Sequence, residues 1–236
     1  MPTVLVTGAN RGLGLEFAKQ YAADEWEVLA TARDPKGAKE LQRLGKQHPR
    51  VRIHTLDLED KKSIEELKDE LEGKPIDVLI HNSGVYPRDG QKLGAIDYEG
   101  WRAAFETNVF GPMRLTEALL ENVAASERKQ IAAISTSMSS LRAVEGGAVA
   151  LAGTAYQYRS SKTALNMAMA VLAKEVEGRG VSVVLLDPGW VKTDMGGPRA
   201  QLTPEQSISG MRKVLAGSTK ELAGKFVGHD GKPRQW

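Results

Sequence analysis

Cysteine is missing from this 236-residue sequence. Without it the chain cannot form disulfides, use a thiol in catalysis, or bind zinc or an iron–sulfur cluster through thiolates. An excess of one charge is also missing, because 32 Lys and Arg against 30 Asp and Glu leave a formal net charge of +2. Proteins that bind nucleic acid or acidic membranes carry clustered basic charge, so we expect neither as a partner.

Long hydrophobic segments are absent as well. The longest apolar run, Met167–Ala173, is much shorter than the ~18 residues that a membrane-spanning helix needs. The first residues show no basic leader followed by an apolar stretch of signal length, so we expect a cytoplasmic protein. The four histidines show no paired ligand spacing, and we therefore expect no metal site.

Short β-branched runs alternate with amphipathic helical segments along the chain, which is typical of βαβ units on a parallel sheet. Strands are predicted at residues 3–7, 27–31, 51–56, 76–80, 131–134, 181–186 and 225–227. No repeat, linker or low-complexity tract interrupts the alternation. The pattern therefore predicts an α/β fold: one Rossmann-type, doubly wound domain over residues 1–236, with about seven parallel strands and helices on both faces.

Glycine is more frequent than usual, at 24 residues, and part of the excess directly follows the first predicted strand. There the chain reads Thr-Gly-Ala-Asn-Arg-Gly-Leu-Gly and enters a predicted helix. Small residues let the backbone approach a pyrophosphate, whose charge is met by amide donors at the helix N-terminus. The residues predicted to bind the nucleotide here are Gly8, Asn10, Arg11, Gly12, Leu13 and Gly14.

The spacing Gly-x-x-x-Gly-x-Gly resembles the glycine motif of the short-chain dehydrogenase/reductase family, and the resemblance covers essentially the whole chain. It implies that Asp57 and Leu58, after the third strand, contact the adenine. It also implies that Asn82 steadies the sheet and that Gly84 admits the ribose. His81 departs from the Asn-Asn-Ala-Gly motif of the family at this point, and we interpret it as structural rather than catalytic.

The end of the second strand distinguishes NAD from NADP. An acidic residue there binds the ribose 2′-hydroxyl of NAD, whereas an arginine accommodates the 2′-phosphate of NADP. Ala32 occupies the usual acidic position and Arg33 follows it, while Asp34 lies too far along the chain. Arg11 adds a second cation, and a guanidinium suits bidentate phosphate binding. The predicted cofactor is therefore NADP(H); the alternative is that Arg33 is a solvated surface residue.

Tyr158 and Lys162 are four residues apart near the start of a long predicted helix, so they share one helical face. An ammonium near a phenol favours the phenolate, and we expect Lys162 to lower the pKa of Tyr158 toward the range useful at neutral pH. The resemblance implies that Tyr158 is the general acid and that Lys162 also binds the ribose. Tyr156 lacks such a partner, because its fourth neighbour is Ser160.

Other catalytic positions of the family are matched less evenly. Asn108 fits the asparagine that shapes a helix kink and supports a water-linked proton path; an ordinary asparagine inside a helix is the alternative. The hydroxyl that binds the substrate carbonyl follows the fifth strand, where Thr136 occupies the usual serine position and Ser137 could substitute. An insertion centred on residues 145–154 separates these residues from the long helix.

The segment after the sixth strand matches the family at positions that shape a turn and bind the nicotinamide carboxamide: Pro188, Gly189, Val191 and Thr193. We expect the chain around residues 190–215 to form a substrate lid that excludes water. Three features most resemble the carbonyl-reductase and C-factor-like branch of the family: the Pro-Gly-Trp-Val sequence of this segment, the insertion before the long helix, and Trp236.

These features predict an NADPH-dependent oxidoreductase that reduces an aldehyde, ketone or quinone to an alcohol. Oxidation of a secondary alcohol, the same site run in reverse, is one alternative. A catalytically weak NADP-binding signalling or scaffold protein of the same fold is another, and the atypical Thr136 supports it. The expected partner is a small carbonyl or alcohol molecule, and the expected state is a monomer or a homodimer.

Overall fold

A computed structural model describes residues 1–87, 89–90, 92–147, 154–217 and 219–236. It contains β1 (Thr3–Val6), β2 (Glu27–Ala32), β3 (Val51–Thr55), β4 (Val78–His81), β5 (Gln130–Ile134), β6 (Ser182–Asp187) and β7 (Phe226–Gly228). These strands form one parallel sheet in the order β3-β2-β1-β4-β5-β6-β7. The predicted seven-stranded, doubly wound fold is confirmed.

The order of the strands reverses direction between β1 and β4, because the chain first builds the β2–β3 side of the sheet and then the β5–β7 side. The loops that leave β1 and β4 therefore diverge and open a crevice at the carboxyl ends of these strands. Ligands of open α/β sheets bind in such a crevice.

The helices are α1 (Gly12–Ala23), α2 (Lys39–Gln47), α3 (Lys61–Glu70), α4 (Tyr98–Phe105), α5 (Gly111–Ala124), α6 (Leu141–Glu145), α7 (Tyr156–Glu175), α8 (Pro204–Ala216) and α9 (Thr219–Leu222). Successive strand side chains point to opposite faces of the sheet. Val4 and Val28 accordingly pack with α1, α2 and α8, whereas Leu5 and Leu29 pack with α3, α5 and α7. The predicted helices on both faces are present.

The helical segment after β4 is interrupted earlier than the sequence predicts. Pro112 suggests a kink or break at its own position, but the structure places Pro112 in the first turn of α5. The backbone stays helical from α4 into α5, so Pro112 is accommodated within one continuous helical segment. The irregularity lies just before it, where Glu106–Phe110 form one turn of π-helix.

The predicted lid divides into two parts. Thr203 and Gln206 form the expected capping box at the start of α8, which buries Ile208 and Met211 in the core. Residues 190–203 form an irregular segment that returns to itself through a bridge between Val191 and Leu202. Only this first part of the 190–215 range therefore has the form of a loop. Of the predicted insertion at 145–154, residues 148–153 lie outside the described residues.

The last residues of the chain pack across the carboxyl end of β6. Arg234 Nε donates a hydrogen bond to the buried Asp187 Oδ2 at 3.0 Å. The Trp236 ring lies 5.7 Å from that of Phe226, and its carbonyl accepts a hydrogen bond from Ser140 Oγ at 3.1 Å. These contacts join β6, β7 and the segment after β5 beside the crevice.

Within the described residues, no helix combines the length and the apolar character needed to cross a membrane. The same residues contain no group of three or more His, Asp or Glu side chains arranged to hold a metal ion.

Candidate active site

The glycine loop joins β1 to α1, and its shape depends on residues without side chains. Gly8 and Gly12 have φ of +64° and +55°, in the left-handed region that favours glycine. A Cβ on Gly14 would collide with the carbonyl oxygen of Gly8 and with Nδ2 of Asn82. Arg11 is the N-cap residue of α1, and its side chain makes no capping hydrogen bond. The backbone amides of the first turn of α1 therefore stay available to a phosphate.

Asn82 fastens this loop to the end of β4. Its Nδ2 donates to the carbonyl oxygens of Thr7 at 2.9 Å and of Gly8 at 3.3 Å. Thr7 Oγ1 in turn accepts hydrogen bonds from the backbone amides of Asn82 and Ser83. The two loops of the crevice are therefore fixed relative to each other. Two further residues of the predicted loop complete it at or near the surface: Asn10 and Leu13.

Arg33 lies exposed directly after β2 and makes no ion pair or hydrogen bond with any residue that the structure describes. Asp34 does not point toward the crevice as a ribose ligand would, because its Oδ1 accepts a hydrogen bond from Gly37 N at 3.1 Å within its own turn. Arg11 Nη1 lies 3.1 Å from Asp194 Oδ2, which joins the glycine loop to the loop after β6.

Asp57 and Leu58 follow β3 at the same edge of the sheet. Asp57 Oδ1 accepts a hydrogen bond from Glu59 N at 3.1 Å, and the Asp57 amide donates to Ser63 Oγ at 2.9 Å. Leu58 is buried in the core and lies close to Gly111. A Cβ added to Gly111 would lie 2.6 Å from the Cβ of Leu58. Both residues therefore fix the turn that follows β3.

Lys162 is buried beneath the crevice, with 4% of its surface exposed. Its Nζ donates to the carbonyl oxygen of Ile134, at the end of β5, over 2.8 Å. A Cβ on Gly84 would lie 3.3 Å from this Nζ and 3.3 Å from Asn108 Oδ1, so the missing side chain leaves room beside the ammonium. Burial lowers the pKa of Lys162 to about 8.

Tyr158 is also buried, one helical turn before Lys162. Burial raises the pKa of its phenol above the ordinary value, and the charge of Asp187 and the proximity of Tyr86 raise it further. A hydrogen bond with Thr136 acts in the opposite direction. The prediction that the Lys162 ammonium lowers this pKa is therefore wrong for the cofactor-free site, because desolvation of the phenol dominates.

Thr136 and Ser137 have different surroundings, although they are neighbours in sequence. Thr136 is half-buried with extended backbone, hydrogen-bonds Tyr158 and caps the short 3-10 turn that follows. Ser137 is exposed as the first residue of that turn. The structure brings Thr136, and not Ser137, to the phenol.

Asn108 lies fully buried in the π-helical turn, an irregularity that is frequent at functional sites. Its Oδ1 accepts from Val85 N at 2.8 Å, and its Nδ2 donates to Val85 O at 3.0 Å and to Ser161 Oγ at 3.0 Å. Asn108 therefore lies in an irregular turn of the helical segment and connects the segment after β4 to α7.

The segment after β6 closes the crevice on its other side. Gly189 has a φ of +75°, and a Cβ there would lie 2.8 Å from Leu202 Cδ1. Pro188 O accepts a hydrogen bond from Ser207 Oγ at 2.7 Å, which fixes the turn to α8. Thr193 lies next to Gly12, since a Cβ on that glycine would lie 3.7 Å from Thr193 Cγ2. Val191 is buried behind it.

His81 is a structural residue in this arrangement. Its Nε2 lies 2.8 Å from Thr116 Oγ1, and burial together with the nearby Lys162 charge lowers its pKa to about 3. Thr116 Oγ1 uses its single proton on the carbonyl oxygen of Pro112, so His81 Nε2 is the donor of the pair. The ring stays neutral, as its interpretation as a structural residue requires.

Comparison with known proteins agrees with the motifs. The family model described as "short chain dehydrogenase" matches residues 2–202. The chain belongs to the short-chain dehydrogenase family. Among curated relatives of this short-chain dehydrogenase, C-signal of Myxococcus xanthus is 39% identical over 69% of the chain and 93% of the relative. A 1-hydroxy-2-glutathionyl-2-methyl-3-butene dehydrogenase of Rhodococcus is 32% identical over the full length of both chains.

Solved structures of similar proteins cover the whole short-chain dehydrogenase. NADPH-bound carbonyl reductase from chicken fatty liver superposes with a TM-score of 0.91 at 33% identity, covering 100% of this chain and 99% of that one. The carbonyl reductase Sniffer of D. melanogaster superposes with a TM-score of 0.90 at 29% identity, with complete coverage of both chains. The resemblance to carbonyl reductases is confirmed.

Two residues near the phenol are missing from the predicted catalytic and cofactor-binding residues. Tyr86 packs its ring against that of Tyr158, with 4.7 Å between ring centroids, and Asp187 acts on the same phenol through its charge. Asp187 directly precedes the Pro-Gly turn, so its place at the end of β6 was a usable signal. No local pattern predicts the contact of Tyr86 with Tyr158, because it joins segments more than 70 residues apart.

The glycine loop yields a test of its packing. An unhindered Gly-to-Ala change in a helix stabilises a protein by up to ~1 kcal/mol. At Gly14 the new methyl group meets the Gly8 carbonyl, so we expect Gly14→Ala to lower the free energy of unfolding by about 2 kcal/mol and to weaken NADPH binding. Denaturant unfolding and fluorescence titration measure both.

Gly178→Ala is the matched control, since a Cβ there meets nothing within 4 Å. We expect its stability to equal that of the parent protein or to exceed it by up to ~1 kcal/mol, and its affinity for NADPH to stay unchanged. Unchanged stability and NADPH affinity in Gly14→Ala would show that the loop tolerates a side chain at this position.

Proposed function

We propose that this short-chain dehydrogenase is an NADPH-dependent carbonyl reductase that converts an aldehyde, ketone or quinone to an alcohol. The proposal rests on one observation: Tyr158, Thr136 and Lys162 lie close together at the carboxyl ends of β4 and β5. The similarity to NADPH-bound carbonyl reductase over the full chain supports it. When bound, the cofactor supplies a hydride from C4 of its nicotinamide.

Tyr158 has the protonation state that carbonyl reduction needs. Because burial raises its pKa above the ordinary value of a phenol, Tyr158 keeps its proton at neutral pH. When the carbonyl carbon gains a hydride, the oxygen gains the electron pair of the broken C=O π bond. Tyr158 donates its proton to this oxygen, which completes the alcohol. Alcohol oxidation would instead use the phenolate as a base.

Thr136 supplies the second hydrogen bond to the substrate oxygen. Its side chain interacts with the Tyr158 phenol, so one substrate oxygen beside both hydroxyls can accept a hydrogen bond from each. Donors fixed before the reaction stabilise the charge that develops on oxygen without reorganising. The exposed Ser137 lacks this contact. We therefore assign the carbonyl-binding role to Thr136.

Lys162 provides charge beneath the site. With a pKa of about 8, its ammonium is mostly protonated at pH 7. One N–H is used on Ile134 O, and Gly84 leaves the adjoining space free of a side chain, so the remaining donors suit ribose hydroxyls. Asn108 holds the segment that carries Gly84 in place through Val85.

The residues around the β1 loop fit NADP(H). The glycine loop and the uncapped start of α1 suit the pyrophosphate, and the exposed guanidinium of Arg33, directly after β2, would bind the 2′-phosphate. Arg11 belongs to the same loop and forms an ion pair with Asp194. We propose that Arg33 is the main determinant of the preference for NADP over NAD.

A signalling protein with little turnover is the second candidate, and the 39% identity to C-signal favours it. The two candidates differ in NADPH consumption, because only a reductase oxidises NADPH when a carbonyl is added. The cytoplasmic location, the span of a single domain, the role of residues 190–203 as a lid and the monomeric or dimeric state stay predictions.

Arg33→Ala tests the choice of cofactor. The parent protein should bind NADPH at least tenfold more tightly than NADH, and the variant should lose about a factor of ten of this preference, as expected for one charge-assisted hydrogen-bonding group. Fluorescence titration with both cofactors measures the ratio. Arg43→Ala, on the exposed face of α2, should leave the ratio unchanged. Equal affinity of the parent protein for both cofactors contradicts the assignment.

Tyr158→Phe tests the proton donor. Since the variant keeps the ring but loses the hydroxyl, we expect turnover of a carbonyl substrate to fall by about 10³-fold, while NADPH affinity stays within about twofold. NADPH absorbance and fluorescence titration give the two values. Tyr156→Phe, two residues away, should retain full turnover. Near-normal turnover in Tyr158→Phe would exclude this mechanism.

A further inference from the structure

Tyr86 occupies a position in the crevice that the catalytic groups do not explain. Its ring lies 4.7 Å from the Tyr158 ring between centroids, at an angle of 56° between their planes. Tyr86 is half-buried, so part of its surface stays open to a ligand. A substrate oxygen that accepts the Tyr158 proton therefore brings the rest of the substrate close to Tyr86.

The position of Tyr86 is fixed by the buried asparagine of the π-helical turn. Asn108 hydrogen-bonds both the N–H and the C=O of Val85, the preceding residue, at 2.8 and 3.0 Å. Because Asn108 is itself fully buried and also bound to Ser161, this pairing holds an otherwise irregular segment against α7. The backbone next to Tyr86 is therefore held in place, and the Tyr86 ring forms one wall of the site.

We propose that Tyr86 determines substrate specificity by selecting carbonyl compounds whose carbonyl is conjugated with a planar ring. The proposal rests on the proposed reductase function. A flat π-system can stack on or meet the edge of the Tyr86 ring, whereas a puckered aliphatic ring of the same size cannot. Such aromatic contacts correspond to about a fivefold gain in binding.

The proposal is tested with benzaldehyde and cyclohexanecarbaldehyde, which differ in ring planarity at nearly equal size. The ratio of their kcat/KM values with NADPH is measured in the parent protein, Tyr86→Phe and Tyr86→Leu. Tyr86→Phe keeps the aromatic ring and should keep the ratio. Tyr86→Leu should lower the ratio about fivefold in favour of the aliphatic aldehyde. An equal loss of activity toward both aldehydes would overturn the proposal, because it would mark Tyr86 as a residue that only supports Tyr158.

A control and a second readout separate this inference from the reductase function. Tyr98→Leu removes an exposed tyrosine on α4, outside the site, and should leave the ratio unchanged. Acetophenone and cyclohexyl methyl ketone are then titrated calorimetrically into the complex with NADP⁺, in which no reduction takes place. A preference for acetophenone that Tyr86→Leu abolishes supports Tyr86 even if no carbonyl is reduced. Equal binding of both ketones to the parent protein overturns the proposal, whatever the turnover.

Discussion

The buried ammonium of Lys162 is the constraint around which the site is arranged. An ammonium removed from water needs hydrogen-bond acceptors, and the carbonyl of Ile134 at the end of β5 provides one at 2.8 Å. The space beside it exists because Gly84 has no side chain. The cost of burial lowers the pKa of Lys162 to about 8, which leaves a charge at neutral pH that a polar cofactor can share. The hydrogen-bond donors that Lys162 has left after bonding to Ile134 are therefore the ones available to the cofactor.

Rigid links hold the groups around this charge. Asn82 joins the glycine loop to β4, and Asn108 joins the segment after β4 to α7 through Val85 and Ser161. Each asparagine pairs backbone groups that the irregular loops leave without partners, so the loops keep one shape before any ligand binds. Preorganisation of this kind lets donors act on developing charge without moving.

Much of the fold could be predicted from sequence, because alternating apolar runs and the glycine loop are local signals. The pairing of Tyr158 with Lys162 follows from four-residue helical spacing in the same way. The direction of the Tyr158 pKa could not be predicted, since it depends on burial and on Asp187 and Tyr86, which distant segments of the chain bring to the phenol. The choice of Thr136 over Ser137 depends on a turn whose register no periodicity specifies.

The central claim is that Tyr158 enters the reaction protonated and acts as an acid toward a carbonyl held by the same site. Single-turnover reduction of an aldehyde by the preformed complex with NADPH, followed between pH 5.5 and 7 so that Lys162, with its pKa of about 8, stays charged, tests it most directly. The account predicts a rate constant that is level over this range, because burial keeps the proton on Tyr158. A rate constant that rises tenfold per pH unit would show that the active form is deprotonated, and would contradict the account.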